Sequence, residues 1–204
     1  MILDFAELSA NRIYFTMIQA VIPRPVAWVL SDNGDGDYNL APFSYFNAVC
    51  SDPPLVALSI GKKADGSLKD TRRNIVERGE FTVHIAHREL AGVVTGTSAE
   101  LGVGVSELAA AGLATEPFGE FRLPRLRDCR VAFACERYQV LELGPLPQAL
   151  ILGLVKAVYI DDAVVEQGEK GRFTIDPLKL DPISRLGGDL YGMLGEVVSI
   201  PRPR

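Results

Sequence analysis

Two long runs rich in aliphatic residues, RVAFACERYQVLEL (Arg130–Leu143) and QALILGLVKAVYID (Gln148–Asp161), are separated only by GPLP, Gly144–Pro147. Two prolines in the joint forbid a regular helix across it, so the runs read as neighbouring strands linked by a turn. That pairing sets the fold class, because the rest of the chain repeats it. PVAWVLSD (Pro25–Asp32) reads as a strand, and NGDGDYN after it supplies hairpin chemistry, since Asn-Gly and Asp-Gly take positive φ readily. PLVALSIG (Pro54–Gly61) is an aliphatic strand. EFTVHIA (Glu80–Ala86) is another, with Phe81, Val83 and Ile85 on one face and Thr82 and His84 on the other.

Helices fall between these pairs. One is expected over Leu68–Arg78, closed by Gly79, and two short pieces over Arg88–Val94 and Ser106–Ala111, parted by a Gly-rich break. This is not the βαβ alternation of a doubly wound parallel sheet. The order predicts a mainly β protein with peripheral helices, its antiparallel sheet closed as a small barrel that leaves no long aliphatic edge exposed.

At 204 residues the chain suits a single domain, 1–204, with a sizeable buried core. A net charge of −5 argues against a nonspecific nucleic-acid binder, which needs a basic face. The basic residues are local: Lys62–Lys63, Lys69–Arg73 and Arg122–Arg130, the last read as solvated surface. Three cysteines, Cys50, Cys129 and Cys135, include no CxxC pair, so neither a disulfide framework nor a zinc ribbon is expected. The N-terminus lacks a secretory pattern and no apolar run reaches the roughly 18 residues of a membrane span, so a cytoplasmic location is expected, with no membrane partner.

Familiar catalytic motifs fail. SDNGDGDYNLAP (Ser31–Pro42) mimics a calcium loop, but with Gly36 in sixth place the first and last positions hold Ser31 and Pro42 instead of carboxylates. GVGVSEL lacks the third glycine of a dinucleotide fingerprint, and GKK lacks P-loop spacing. His84 and His87 make no HExxH, and there is no GxSxG elbow. No catalytic side chain and no metal site is assigned, so an enzyme of this sequence would take its hard chemistry from a cofactor.

Two stretches suggest which. In GSLKDTRRN (Gly66–Asn74), Ser67 and Asp70 have capping-box spacing, which would start the helix at Leu68. Lys69, Thr71, Arg72 and Arg73 then crowd a helix end that the dipole already makes positive, an arrangement that suits a phosphate. The plainer reading is an exposed basic turn with Asp70 as counter-ion. In NLAPFSYFNAV (Asn39–Val49), Asn39, Ser44 and Asn47 offer short polar groups and Phe43, Tyr45 and Phe46 flat faces, as a heteroaromatic ring requires. The plainer reading here is a hairpin edge with buried aromatics. Taken together, the stretches point to a phosphate-tailed planar cofactor of the flavin mononucleotide kind.

RPVAWVLSDNGDGDYNLAPFSYFNAVCSDPPLVALSI, KDTRRNI, GEFTVHI and, near the end, RLGGDLYGML resemble in order the flavin reductase-like, FMN-binding split-barrel family. That family includes flavoredoxin-type proteins and the reductase components of two-component monooxygenases. The resemblance implies an antiparallel split β-barrel of six strands, homodimeric, with FMN at the subunit interface. It would place Asn39, Ala41, Pro42, Phe43, Ser44, Tyr45, Phe46 and Asn47 along the ring and ribityl chain, and Ser59 near the ribityl or phosphate. Lys69 and Thr71 would hold the phosphate with Arg24 and Asn74 close by, and Trp28 would lie near the ring or else in the core. Arg185 and Tyr191 would border the entrance, or Tyr191 would pack the dimer. His84 would face the flavin edge or the surface. The implied activity is NAD(P)H-dependent flavin reduction supplying a monooxygenase or other acceptor. A non-enzymatic FMN electron carrier and a flavin-less binding module are the alternatives.

Overall fold

The computed structural model describes residues 1–204 except 35, 100, 102–104, 146–147, 169–171, 202 and 204. The chain opens on α1 (Ala10–Ala20), where the Ser9 hydroxyl accepts from the Arg12 N–H at 3.4 Å. A two-residue strand, β1 (Arg24–Pro25), leads into β2 (Ala27–Gly34), β3 (Asp37–Phe43), β4 (Phe46–Ser51) and β5 (Pro54–Ile60). Gly34 and Gly36, at φ 93° and 82°, supply the positive φ of the β2–β3 turn. Next come α2 (Asp70–Arg78), β6 (Glu80–Ile85), α3 (Ala91–Gly96), α4 (Glu107–Ala110), the hairpin β7 (Thr115–Phe118) and β8 (Phe121–Leu126), and the long pair β9 (Val131–Leu143) and β10 (Gln148–Ile160). The C-terminal part holds β11 (Val165–Gln167), β12 (Phe173–Ile175), α5 (Pro177–Leu180), β13 (Ser184–Gly187) and β14 (Leu190–Gly192), with β13 paired to β1.

Seven strands form one antiparallel sheet in the order β3-β2-β6-β9-β10-β5-β4. Its two edge strands are consecutive in the chain. The sheet therefore curls until its edges are joined covalently through Ser44 and Tyr45, where the Ser59 N–H donates to the Tyr45 carbonyl at 2.8 Å and carries the β4–β5 ladder up to the joint. The ladder lapses here, so the barrel is split at the β3–β4 joint, as expected of a split barrel.

β2 separates two cores. Val26, Trp28 and Leu30 pack outward with Leu40, Val94, Leu108 and Leu126, whereas Ala27 and Val29 point inward with Leu58, Ile75, Phe81, Val83 and Ile151. Burial on both faces explains why this strand reads as a continuous apolar run. Phe81 fills the interior so closely that a Cβ on Gly153 would lie 2.4 Å from its Cζ. Glycine is required in β10 at that point.

Several expectations need correction. Helix α2 begins at Asp70, not Leu68, with Lys69 at the N-cap and no side-chain cap. The Ser67 hydroxyl bonds Asp65 Oδ1 instead, at 2.6 Å, while Asp70 pairs with Lys63 (2.7 Å) and Arg73 (2.5 Å). Of the alternatives for His84, the surface position fails, and both His84 and Thr82 are buried. β8 covers that side of β6: the Thr82 hydroxyl donates to the Pro124 carbonyl at 3.2 Å and the Leu126 N–H donates to His84 Nε2 at 2.9 Å. The Arg122–Arg130 run is only partly solvated. Arg122 bridges Asp32 and Glu80, while Arg125 is buried, paired with Glu116 and stacked 3.5 Å over the Tyr159 ring. The end of the GPLP joint, the Asp35 turn position and the first glycines of GVGVSEL lie outside the described residues.

Candidate functional site

A cavity of about 670 Å³ opens at the split. Pro42, Phe43, Ser44 and Tyr45 form one wall, Ser59 and Gln148 the barrel side, Gly61 to Ala64 with Gly66 and Lys69 another wall, and Tyr14, Ile18, Arg185 and Tyr191 the rest. The split itself exposes this surface, because where strands part, backbone and short polar side chains are left without a neighbouring strand. A smaller pocket of about 90 Å³ shares Pro42, Phe43, Lys63, Lys69 and Ser98 with the first and adds Asn39, Ala41, Thr71 and Glu107.

The first N–H groups of α2 have no carbonyl one turn back to bond, and no side chain caps them. Lys69 stands at this end and has no carboxylate partner among the described residues, whereas Lys63 is held by Asp70. Burial opposes the Asp70 charge, but Lys63 and Arg73 outweigh it and hold the carboxyl below its usual range. Glu107, half-buried with its carboxylate accepting from the Leu40 N–H at 3.3 Å, is pushed upward by burial.

Behind the pocket runs a buried chain of short polar side chains. Asn39 Nδ2 donates to Thr71 Oγ1 at 2.8 Å and lies 3.4 Å from Ser31 Oγ. Asn74 Nδ2 donates to Ser31 Oγ at 3.2 Å and to Asn33 Oδ1 at 2.8 Å. Because Thr71 Oγ1 accepts from Asn39, its own proton remains for an acceptor on the pocket side.

The candidate residues thus divide. Ala41, Pro42, Phe43, Ser44, Tyr45, Ser59, Lys69 and Thr71 line one or both pockets, and Asn39 lines the smaller. The others stand back. Trp28 is fully buried, its Nε1 donating to Thr97 Oγ1 at 2.9 Å. Arg24 closes the end of α1, donating to the carbonyls of Ile18 and Val21, with Nε 3.4 Å from Ser44 Oγ. Asn74 lies behind α2. Phe46 packs against the inner core, and Asn47, exposed on β4, bonds the next N–H.

Lys62, Lys63 and Gln148 are wall residues that the motifs did not single out, although the Lys62–Lys63 pair was visible as a local charge. Gln148 donates to Ser59 Oγ at 3.0 Å across the sheet, a pairing readable only from strand register. His84 takes no part. It is fully buried, and since Nε2 accepts from Leu126, the Nδ1 proton goes to the Trp28 carbonyl at 3.0 Å. Burial above all lowers its pKa to about 4.

The family model for the flavin reductase like domain matches residues 19–178. An uncharacterized protein of Bacillus subtilis, YwrF, is 37% identical over 201 residues, 97% of this chain and 96% of its own. Among solved structures, nitrilotriacetate monooxygenase component B from Bacillus cereus has a TM-score of 0.89 at 34% identity, with 98% of each chain covered. The 2-nitrobenzoate 2-nitroreductase NbaA of Pseudomonas fluorescens gives 0.88 at 28%, covering 100% of this chain and 96% of that one.

Proposed function

The chain belongs to the flavin reductase like domain family, and from that premise we propose that it is an FMN-binding oxidoreductase, an NAD(P)H-dependent flavin reductase that passes electrons or reduced flavin to a partner. The observation that carries this reading is the cavity at the barrel split, where an unneutralised Lys69, the uncapped start of α2 and the Thr71 hydroxyl adjoin a wall of aromatic and short polar groups. The donor set fits a phosphate, which accepts from backbone N–H, ammonium and hydroxyl alike. The Pro42–Tyr45 segment with Ser59 and Gln148 fits the edge of a polar heteroaromatic ring and its hydroxylated chain.

When bound, the flavin would supply hydride acceptance from a nicotinamide and onward electron transfer. The chain's own groups would bind and orient. Lys69 and Thr71 would hold the phosphate, Asn39 would hold the Thr71 hydroxyl in its donating direction, and the Ser44–Tyr45 joint would border the ring. No acid or base is required of a side chain. Residues 1–204 would act as one domain in a homodimer with the cofactor at the interface. The exposed Tyr14, Phe15 and Met17 on α1 and Val49 on the β4 edge support an apolar contact there. None of the described helices is long and apolar enough to cross a membrane.

The test is the visible spectrum of the purified protein supplied with FMN, followed by NADH or NADPH without air. Flavin bands that bleach on nicotinamide addition are expected. Bound FMN that no nicotinamide reduces would make the protein an electron carrier, and failure to take up FMN would leave a binding module.

A further inference from the structure

We propose that Glu107 selects the anion at the start of α2: it admits an oxyanion that brings a proton with it, such as a phosphate, and turns away one that cannot, such as sulfate. The inference rests on the flavin reading above and adds the charge state in which the cofactor's phosphate end is held.

A carboxylate standing in an anion seat carries it. The smaller pocket is lined by Lys63, Lys69 and Thr71, but also by two acidic residues, Asp70 and Glu107. Asp70 is already committed, one oxygen to Lys63 at 2.7 Å and the other to Arg73 at 2.5 Å. Glu107 is not. Its Oε2 accepts from the Leu40 N–H at 3.3 Å, and among the described residues no ion pair holds it. Its backbone is fixed on both sides. Ser106 before it donates its hydroxyl to the Tyr38 carbonyl, and Leu108 after it packs in the core around Trp28.

The groups that share this small space with Glu107 are few. The β5–α2 segment brings the charges of Lys63, Lys69 and Asp70, and β3 brings the Asn39 amide and the Leu40 N–H. Thr97 and Ser98, after α3, bring hydroxyls and no charge. Burial above all raises the pKa of Glu107, and the Asp70 charge adds to it, against the N–H groups of Leu40 and Glu107 itself and against Lys63.

The α2 N–H groups, Lys69 and Thr71 suit the oxygens of any tetrahedral anion, so they do not discriminate. An ionised carboxylate is different, because it can only accept. Against a sulfate it sets charge on charge with no hydrogen bond between them. Against a phosphate that keeps one proton it accepts a charge-assisted O–H···O⁻ bond. Partial burial strengthens both the repulsion and the bond. The second proton of a phosphate ester leaves near pH 6 and is retained at modest cost, whereas sulfate has none to keep in this range. A phosphate dianion arriving from neutral solution therefore takes up one proton from water, which it shares with Glu107.

The test is calorimetric titration of the flavin-free protein at pH 8 with inorganic phosphate and, at matched ionic strength, with sulfate. Wild type is compared with Glu107→Gln, which keeps an oxygen for the Leu40 N–H, and thermal melting reports on its fold. Wild type should prefer phosphate by about tenfold or more, and the heat should change with the ionisation enthalpy of the buffer, the mark of proton uptake. In Glu107→Gln sulfate should tighten until the preference falls most of the way to parity, and the proton uptake should shrink. Saturation with FMN should abolish phosphate binding in both proteins. Four results would each overturn the proposal: no phosphate binding, equal affinity of wild type for the two anions, a preference unchanged in Glu107→Gln, or phosphate binding that survives saturation with FMN. If Glu107→Gln does not fold, the wild-type preference and proton uptake decide alone. A protein that shows the preference but takes no FMN would defeat the flavin reading and leave the role of Glu107 standing.

Discussion

From β2 through β6, β9 and β10 the barrel is closed by continuous ladders, and what lies between them is apolar or, like His84 and Thr82, fully bonded and sealed. At the β3–β4 joint the ladder stops, and lysines, serines and phenols take the place of aliphatic side chains. On the proposed function, the two regions would divide the tasks of holding the fold and holding a ligand. Substitutions in the closed region should change stability and leave affinity alone, whereas those at the split should do the reverse.

The hardest blow to this division is Trp28→Ala. Removing a fully buried indole should cost about 3–5 kcal/mol in urea unfolding, and the molecules that remain folded should bind FMN as wild type does. Affinity that falls with Trp28 would mean the ring contacts ligand and the division is wrong there.

His84 sharpens it through pH. Unfolded, its imidazole takes up a proton near pH 6.5, but in the folded protein only near pH 4. Its contribution is complete above the unfolded value and is lost as pH falls from there toward 4, by about 3 kcal/mol in all. Unfolding free energies measured at pH 7 and pH 4.5 should differ by most of that amount, and the difference should shrink in His84→Gln. An unchanged slope would show that His84 is not the group responsible.

At the split, Lys69→Ala should weaken FMN binding by about tenfold to a hundredfold, the worth of a charge-assisted bond. Riboflavin affinity and the melting temperature should stay close to wild type. A smaller effect is expected of Asn39→Ala: about 1 kcal/mol lost from FMN binding and little from riboflavin, because on the proposed reading Asn39 acts on the phosphate by orienting Thr71. If both flavins weaken equally, Asn39 touches the ring and the polar chain behind the pocket is not a positioning device.

The strands that form the closed region were largely legible. β5, β6, β9 and β10 were expected close to where they occur, because aliphatic runs bounded by Pro and Gly announce a strand whether one or both faces are covered. Which face was covered was not legible, since the sheltering of Thr82 and His84 comes from β8, whose own sequence reads as a basic surface run. α1 was missed for a similar reason. Ile18 is its one buried residue, so it carries little core-facing signal. At the site, the Ser44–Tyr45 wall and Lys69 were readable from residue chemistry, but Gln148 enters through register and Tyr14 through the packing of α1. The misplaced start of α2 has a plain cause: Ser67 had the right spacing for a capping box, but Asp65 is nearer and Lys63 draws Asp70 away.

The covalent joining of the sheet's edges also has a temporal side. β2 pairs with β3, and β4 with β5, between near neighbours in sequence, so both flanks of the split can form as soon as residues 27–60 have emerged. The other edge of β5 waits for β10, whose Gln148 lies 89 residues beyond the Ser59 it bonds. Contacts of such long separation are made late, after the entropy of closing the intervening chain has been overcome. A chain growing from its N-terminus therefore owns most of its cavity-lining residues early and without a cavity, since the cavity acquires a floor only when β10 docks and a rim only when β13 and β14 return to β1.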